Sequence, residues 1–203
     1  QVSEPSLRRT ERFADIMAEM GRVSRFFVNA FGGRRNGRVV EWLTSNLALP
    51  PGATCLEIGC GNGDMAHRIV EGLRPSRYVA TDLDPRQLEA ARRHLASTYP
   101  EKLPAALELR TADMLSLPFA SASFDTVFGF YSLHHADAQH RAFVSVPKAL
   151  EEVNRVLRPG GRLVYVEIVN REKVRAWLLE RGYRIEALSR RWTGESVVAA
   201  KPA

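Results

Sequence analysis

Leu56-Glu57-Ile58-Gly59-Cys60-Gly61-Asn62-Gly63-Asp64 decides how this chain folds. It ends a short apolar run, Ala53 to Gly59, that reads as a buried strand. Three glycines at alternate positions follow, so the backbone can bend tightly and approach a ligand with no Cβ in the way. Met65 to Leu73 then carries a helical pattern, whose first turn offers unpaired N–H groups. Strand, glycine turn and helix in that order make one β-α unit.

Outward from this unit the same alternation continues. Arg77 to Asp82 reads as a second strand, and residues 85–98 as a helix opened by Pro85 in the favoured first turn. Residues 105–112 and 124–131 read as strands three and four. Residues 147–157 form a helix, Arg158-Pro159-Gly160-Gly161 a turn, and residues 162–169 strand five. Residues 172–182 form a helix closed by Gly182. Residues 183–192 and 195–202 read as two last strands joined at Thr193-Gly194. The alternation predicts an α/β, doubly wound, mostly parallel sheet. The closing hairpin requires one antiparallel edge.

About 50 residues precede the first strand, and they read as helix. Phe13, Ile16, Met17 and Met20 fall at helical spacing, and Val23, Phe27 and Phe31 carry the stripe onward. Gly32-Gly33 is expected to end this helix. A second helix then places Val39, Val40, Leu43 and Leu47 on one face, and Leu49-Pro50-Pro51-Gly52 stops it. The expected organisation is an N-terminal helical cap over residues 1–50 and a core over 51–203. Packing against the core explains most of the apolar stripe.

With 203 residues and 45% hydrophobic content, the chain can bury a sizeable core. No window approaches an apolar membrane span. The opening QVSEPSLRRTERF is polar, without the apolar stretch of a secretory signal. Cys55 and Cys60 are the only cysteines. Placed in one strand, five residues apart, they face opposite ways, which argues against a disulfide or a structural zinc site. The expectation is a reducing, cytoplasmic setting. The net charge of +6 divides unevenly: +4 over residues 1–38, −3 over 39–157 and +5 over 158–203. Basic ends can mark an anionic partner, and a solvated, arginine-rich surface explains them equally simply.

Ligands of open α/β sheets bind beyond the carboxyl ends of the strands. The glycine turn lies at the first such end. Its spacing is G-x-G-x-G, and Asp64 stands where a dinucleotide site expects glycine, so a pyrophosphate is poorly served. No Gly-Lys-Ser/Thr follows, which excludes a P-loop. Asp82 ends strand two, 19 residues beyond Gly63, where an acid can accept both hydroxyls of a ribose. Asp113 and Met114 follow strand three; a carboxylate there can accept amino hydrogens of an adenine, and Met can pack on its ring. Tyr131, His134 and His135 follow strand four.

In that order, LEIGCGNGD, VATDLDP, TADMLSLPF, FDTVFGFYSLHH and EEVNRVLRPGGRLVYVE resemble the class I S-adenosylmethionine-dependent methyltransferases, in their small-molecule branch. The resemblance covers about residues 50 to 170. It implies a Rossmann-like seven-stranded sheet with strand seven antiparallel between five and six. It also implies methyl transfer from S-adenosyl-L-methionine by in-line displacement to an O, N or C atom of a small molecule. Gly59, Cys60, Gly61 and Gly63 match the turn that wraps the methionine part of the cofactor. Glu57 matches the acid that steadies the turn and the cofactor's ammonium group, Asp82 the ribose-binding acid, and Leu83 its apolar neighbour against adenine. Asp113 and Met114 match the adenine pocket. Phe130 and Tyr131 match the place where cofactor and acceptor meet.

Departures from related branches narrow the reading. Strand four ends Phe130-Tyr131, without the Asn/Asp-Pro-Pro-Tyr run of amino-directed nucleic-acid methylases, and no Pro-Cys pair supplies a cytosine-C5 nucleophile. No acid follows strand four where catechol-type enzymes hold magnesium, so no metal is expected. A nucleic-acid or protein methylase and a non-catalytic cofactor-binding protein are the alternatives. The expected chain is a monomer or homodimer, with a small molecule as its partner and no nucleic acid. Tyr131, His134 and His135 are the catalytic candidates, because a histidine there can take a proton from an attacking group. The two histidines are adjacent, so both cannot face the pocket. With no insertion after strand five, the N-terminal helices are expected to cover the acceptor, with Phe26, Phe27 or Phe31 lining its pocket.

Overall fold

The computed structural model describes residues 22–137, 139, 142–191 and 194–203; side chains at 22–32 and 191 are outside that description. The helix expected before residue 22 and the joint at Thr193 lie outside it too. Helix α1 (Arg22–Asn46) leads into β1 (Thr54–Ile58), α2 (Asp64–Leu73), β2 (Arg77–Asp82), α3 (Pro85–Thr98) and β3 (Leu107–Thr111). There follow β4 (Phe124–Phe130), a 3₁₀ turn (Leu133–Ala136), α4 (Val146–Val156), β5 (Leu157–Glu167), α5 (Arg171–Glu180), β6 (Arg184–Arg191) and β7 (Gly194–Ala200).

The seven strands form one sheet in the order β3-β2-β1-β4-β5-β7-β6. The five from β3 to β5 are parallel, and β7 lies antiparallel between β5 and β6. The doubly wound, Rossmann-like expectation is therefore met. The chain runs outward from β1 to β3, then returns to β4 on β1's other side. That switch point brings the carboxyl ends of β1 and β4 side by side.

Alternation along the strands divides the core into two layers. Leu56, Ile58, Val127, Leu163 and Tyr165 meet α4 and α5 through Leu150, Val153, Val174 and Trp177. Cys55, Phe128, Phe130, Val164 and Val166 meet α1 and α2 through Val39, Leu43, Leu47, Ala66 and Ile69. Helix α3 begins as the sequence reads: Pro85 is its first residue, and Asp84 caps it by accepting the Arg86 N–H at 2.9 Å.

Three local expectations are corrected. Gly32-Gly33 does not end a helix, because α1 runs unbroken through it. A glycine in a helix costs about 1 kcal/mol. Burying Leu43 and Leu47 returns more, at about 1.5–3 kcal/mol for each large side chain. The Arg68 guanidinium of α2 packs beside Gly33 and Gly37, one turn apart, at an ordinary 3.8–3.9 Å from where their Cβ atoms would be. Arg158-Pro159-Gly160-Gly161 is not a turn before β5 but lies within its start, bulged from the β4 ladder between the pairs Phe124–Leu157 and Thr126–Arg162. Gly161 is required there: a Cβ would stand 2.9 Å from the Arg158 carbonyl and 3.0 Å from that of Asp125. Finally, Cys60 lies beyond β1 in the glycine turn. It packs in the same layer as Cys55, and both are free thiols.

Candidate active site

The glycine turn leaves β1 at Ile58 with left-handed backbone at Gly59 (φ 68°), Gly61 (φ 55°) and Gly63 (φ 77°), a region that favours glycine. Each glycine also answers to its surroundings. A Cβ on Gly59 would stand 2.6 Å from the Ser132 Cβ, and one on Gly63 3.1 Å from the Ala91 Cβ of α3. At Gly61 nothing lies within 4 Å of the Cβ position, so the turn faces open space there. The Cys60 N–H donates to the Thr81 carbonyl at 2.8 Å and ties the turn to β2. Burial pushes the Cys60 thiol far above its ordinary range, so it is no thiolate at neutral pH.

Asp82, at the end of β2, turns toward this loop. One carboxylate oxygen accepts the Gly61 N–H at 2.9 Å and the other the Asp84 N–H at 2.9 Å. Burial raises its pKa, against the pull of these hydrogen bonds. Leu83 beside it is half-buried. Asp113 is half-buried and accepts the Leu115 N–H at 2.9 Å. The Met114 methyl lies 3.8 Å from the Cβ position of Gly59, so β3's end reaches the glycine turn as well.

Glu57 is buried on the layer shared by Cys55 and Tyr78, and Tyr78 donates to its Oε2 at 3.0 Å. Burial pushes its pKa up to about 8; the Tyr78 hydrogen bond opposes this, while Asp82 and Asp64 add to it. Phe130, at the end of β4, is buried and stacked on Phe128, with ring centroids 5.6 Å apart.

Beyond β4 the chain is strained. Tyr131 has φ 54°, a left-handed conformation that costs a non-glycine residue about 1–3 kcal/mol. Its N–H donates to the Val166 carbonyl at 2.7 Å. The Arg35 guanidinium of α1 stacks on its ring, 4.1 Å from the centroid. Burial raises the Tyr131 pKa, although Arg35 opposes this, so the phenol stays protonated at neutral pH. The Arg35 Nε is buried and has no hydrogen-bond partner among the described residues.

His134 and His135 occupy the 3₁₀ turn and part company there. His134 is buried, and its Nδ1 lies 2.7 Å from Oε2 of Glu167, at the end of β5. Glu167 is wholly buried, and its Oε1 accepts the Leu133 N–H at 2.8 Å. Its register neighbour on β7, Glu195, is held by Arg175 at 2.5 Å and Arg190 at 3.1 Å. A histidine whose Nδ1 donates to a carboxylate carries its basic lone pair on Nε2. His135 is half-buried, with its ring 4.2 Å from that of His134. The side chains of Phe26, Phe27 and Phe31 lie outside the described residues.

Sequence reasoning missed Glu167 and Arg35. A carboxylate within the apolar run Val164-Tyr165-Val166-Glu167-Ile168 is legible as an exception, but its partner lies 33 residues away. Arg35 sits in an arginine-rich stretch with no local signal.

Residues 56–165, which run from within β1 to within β5, match the family model described as "Methyltransferase domain". The chain belongs to this methyltransferase domain family. It is 33% identical over 141 residues to phthiotriol/phenolphthiotriol dimycocerosates methyltransferase of Mycobacterium leprae, covering 69% of this chain and 47% of that protein. It is also 33% identical over 129 residues to the ubiquinone/menaquinone biosynthesis C-methyltransferase of Dinoroseobacter shibae, covering 64% of this chain and 46% of that protein. The chain thus spans about half the length of these relatives. A SAM-dependent methyltransferase from Aquifex aeolicus has the same fold, with a TM-score of 0.64 at 15% identity over 93% of this chain and 97% of that one. Among the described residues of this methyltransferase-domain chain, no helix is long and apolar enough to cross a membrane.

Proposed function

We propose that the chain transfers a methyl group from S-adenosylmethionine to a small, largely apolar acceptor, with His134 taking the acceptor's proton. The observation that carries this reading is the buried His134–Glu167 pair beside the glycine turn. Ser132, two residues before His134, lies against Gly59.

The residues present fit the cofactor. The open face of Gly61 admits a ligand against the backbone, and Asp82 keeps lone pairs for ribose hydroxyls. Asp113, Leu83 and Met114 would line the adenine side. The Arg35 Nε, without a partner among the described residues, suits the carboxylate of the methionine part, and Glu57 its ammonium group. The bound cofactor supplies a methyl group already activated by its sulfonium. The protein's part is then alignment and proton removal. Glu167 fixes the His134 ring and its tautomer, so that Nε2 accepts a proton from the attacking hydroxyl, amine or carbon acid. Tyr131, kept as a neutral phenol by its burial, orients the acceptor as a hydrogen-bond donor. His135 stands beside the dyad, and the Glu167 carboxylate against Nδ1 makes His134 the stronger candidate.

An apolar acceptor is supported by Ile168, which follows Glu167, and by Val144 nearby in the chain after the 3₁₀ turn; both are exposed. The M. leprae and D. shibae relatives are named for lipid and quinone substrates. A nucleic-acid acceptor is disfavoured because arginines of the basic C-terminal segment are already engaged. Arg158, Arg162, Arg175, Arg184 and Arg190 are held by the three carboxylates Asp125, Glu186 and Glu195. Residues 1–50 would form the acceptor-side cap, and 51–203 the cofactor-binding core.

Replacing His134 with Ala and following turnover across pH 6–9 tests the reading, with cofactor binding and far-ultraviolet circular dichroism as controls. The expected loss in kcat is about 10²–10⁴-fold with cofactor affinity preserved. A smaller loss for Glu167→Gln, with a shifted pH profile, would mark it as a positioning residue. Near-wild-type rates in both variants would leave alignment alone as the source of catalysis and make the dyad a structural brace.

A further inference from the structure

Three potential ligands converge between α2 and α3, outside the residues assigned to methyl transfer. Asp64 opens α2, His67 follows it on the same face one turn later, and His94 reaches across from α3. Their ligand atoms all lie within 4.8 Å of one another. His94 Nε2 stands 3.3 Å from His67 Nδ1 and 4.0 Å from Asp64 Oδ1. A tetrahedral zinc ion, bonded at about 2.0–2.1 Å, separates its ligands by about 3.3–3.4 Å. The histidine pair already has that spacing, and the carboxylate needs only a small movement.

The surroundings resemble those of a working ligand set. Asn36 of α1 donates to Asp64 Oδ2 at 2.6 Å, and Arg68 Nε lies 3.1 Å from both carboxylate oxygens. Metal-binding side chains are commonly oriented by such outer partners. All three ligands are half-buried, so an ion could enter from solvent while the helices hold its ligands. Two imidazoles and one carboxylate select a late first-row divalent ion and leave one position for water. In the absence of an ion, an N–H···N hydrogen bond between the rings accounts for the same 3.3 Å.

We propose that Asp64, His67 and His94 bind one divalent transition ion, zinc by the chemistry of the donors, as a clasp joining α2 to α3. This site goes beyond the proposed methyl transfer and supplies no step to it. Metal binding should therefore change stability and leave the chemistry alone.

The test uses the full, untagged chain after chelation and dialysis. Zinc is titrated calorimetrically, and cobalt(II) is added separately to read its visible absorption. One ion per chain, with the bands of four-coordinate cobalt, is expected. His94→Gln and His67→Asn should each weaken binding by more than about tenfold. Zinc should raise the wild-type Tm and leave that of the folded His94→Gln variant unchanged. The absence of stoichiometric binding to the wild type would overturn the proposal and leave a hydrogen-bonded histidine pair. Binding that survives in both variants would overturn it by placing the ion elsewhere. Loss of turnover in a chelated but fully folded enzyme would overturn the separation from catalysis.

Discussion

Glu57→Gln isolates the cost of burying a carboxyl group beneath the glycine turn. In the folded protein burial pushes the Glu57 pKa from its ordinary 4.5 to about 8. Between those values the folded state keeps a proton that the unfolded chain has released. By linkage, stability is then fully present below pH 4.5 and falls as pH rises toward 8. Each pKa unit corresponds to about 1.4 kcal/mol, so this one group should remove about 3 kcal/mol between pH 5 and 8. For a domain of this size that is about 6–12 °C in Tm. Glutamine keeps the shape and can still accept the Tyr78 hydroxyl, but it does not titrate. The assay is thermal unfolding followed by circular dichroism at intervals from pH 5 to 8.5. Subtracting the variant's profile from the wild type's cancels the other titrating groups. The wild type should lose stability relative to Glu57→Gln as pH rises, and saturating S-adenosylmethionine should flatten the difference if its ammonium favours the ionised form. Parallel profiles would refute the reasoning and show that Glu57 titrates as an ordinary carboxyl.

Two substitutions test the turn itself. Asp82→Ala should weaken S-adenosylmethionine binding about ten- to a hundredfold by calorimetry, because a charged hydrogen-bond acceptor contributes about 1.5–3 kcal/mol; unchanged affinity would move the ribose elsewhere. Gly59→Ala should lower Tm and abolish cofactor binding, since its new methyl meets the Ser132 Cβ at 2.6 Å on a left-handed backbone. Gly61→Ala, where nothing lies within 4 Å, meets only the backbone penalty and should fold better than Gly59→Ala.

The parts of this fold legible in the sequence are those with local causes. β2 and α3 were bounded correctly because Asp84 and Pro85 are themselves the start signal and need no distant partner. The glycine turn is legible because its left-handed backbone at Gly59, Gly61 and Gly63 dictates the residue type. Gly32-Gly33 misled because a breaker was weighed by its local cost alone, while Leu43, Leu47 and the Arg68 contact hold α1 together from outside. The Pro-Gly-Gly run misled for the same reason: neighbours at Asp125 and Phe124 make it a strand entry. The site follows this division. Histidines after strand four were legible as candidates, but the choice between them rests on Glu167, which only sheet register brings to His134. His67 and His94 are 27 residues apart on two helices, so no local spacing marks them as partners.

Gly59 and Ser132 join the two halves of the site mechanically. The missing Cβ at Gly59 lets the segment after β4 rest directly on the glycine turn. That segment is held at both ends: the Tyr131 N–H is bound to Val166, and the Leu133 N–H to Glu167. Both anchors lie on β5, and Glu167 also holds His134. The strain at Tyr131 therefore persists because the surrounding structure over-determines it. A cofactor seated on the turn and an acceptor met by Tyr131 and His134 would share one rigid support. For a reaction whose donor is already activated, alignment between two bound molecules is the main task left to the protein, and an error of about 1 Å is costly. A packing contact between a glycine and a serine, with no chemistry of its own, is thus as necessary to the proposed transfer as the histidine that takes the proton.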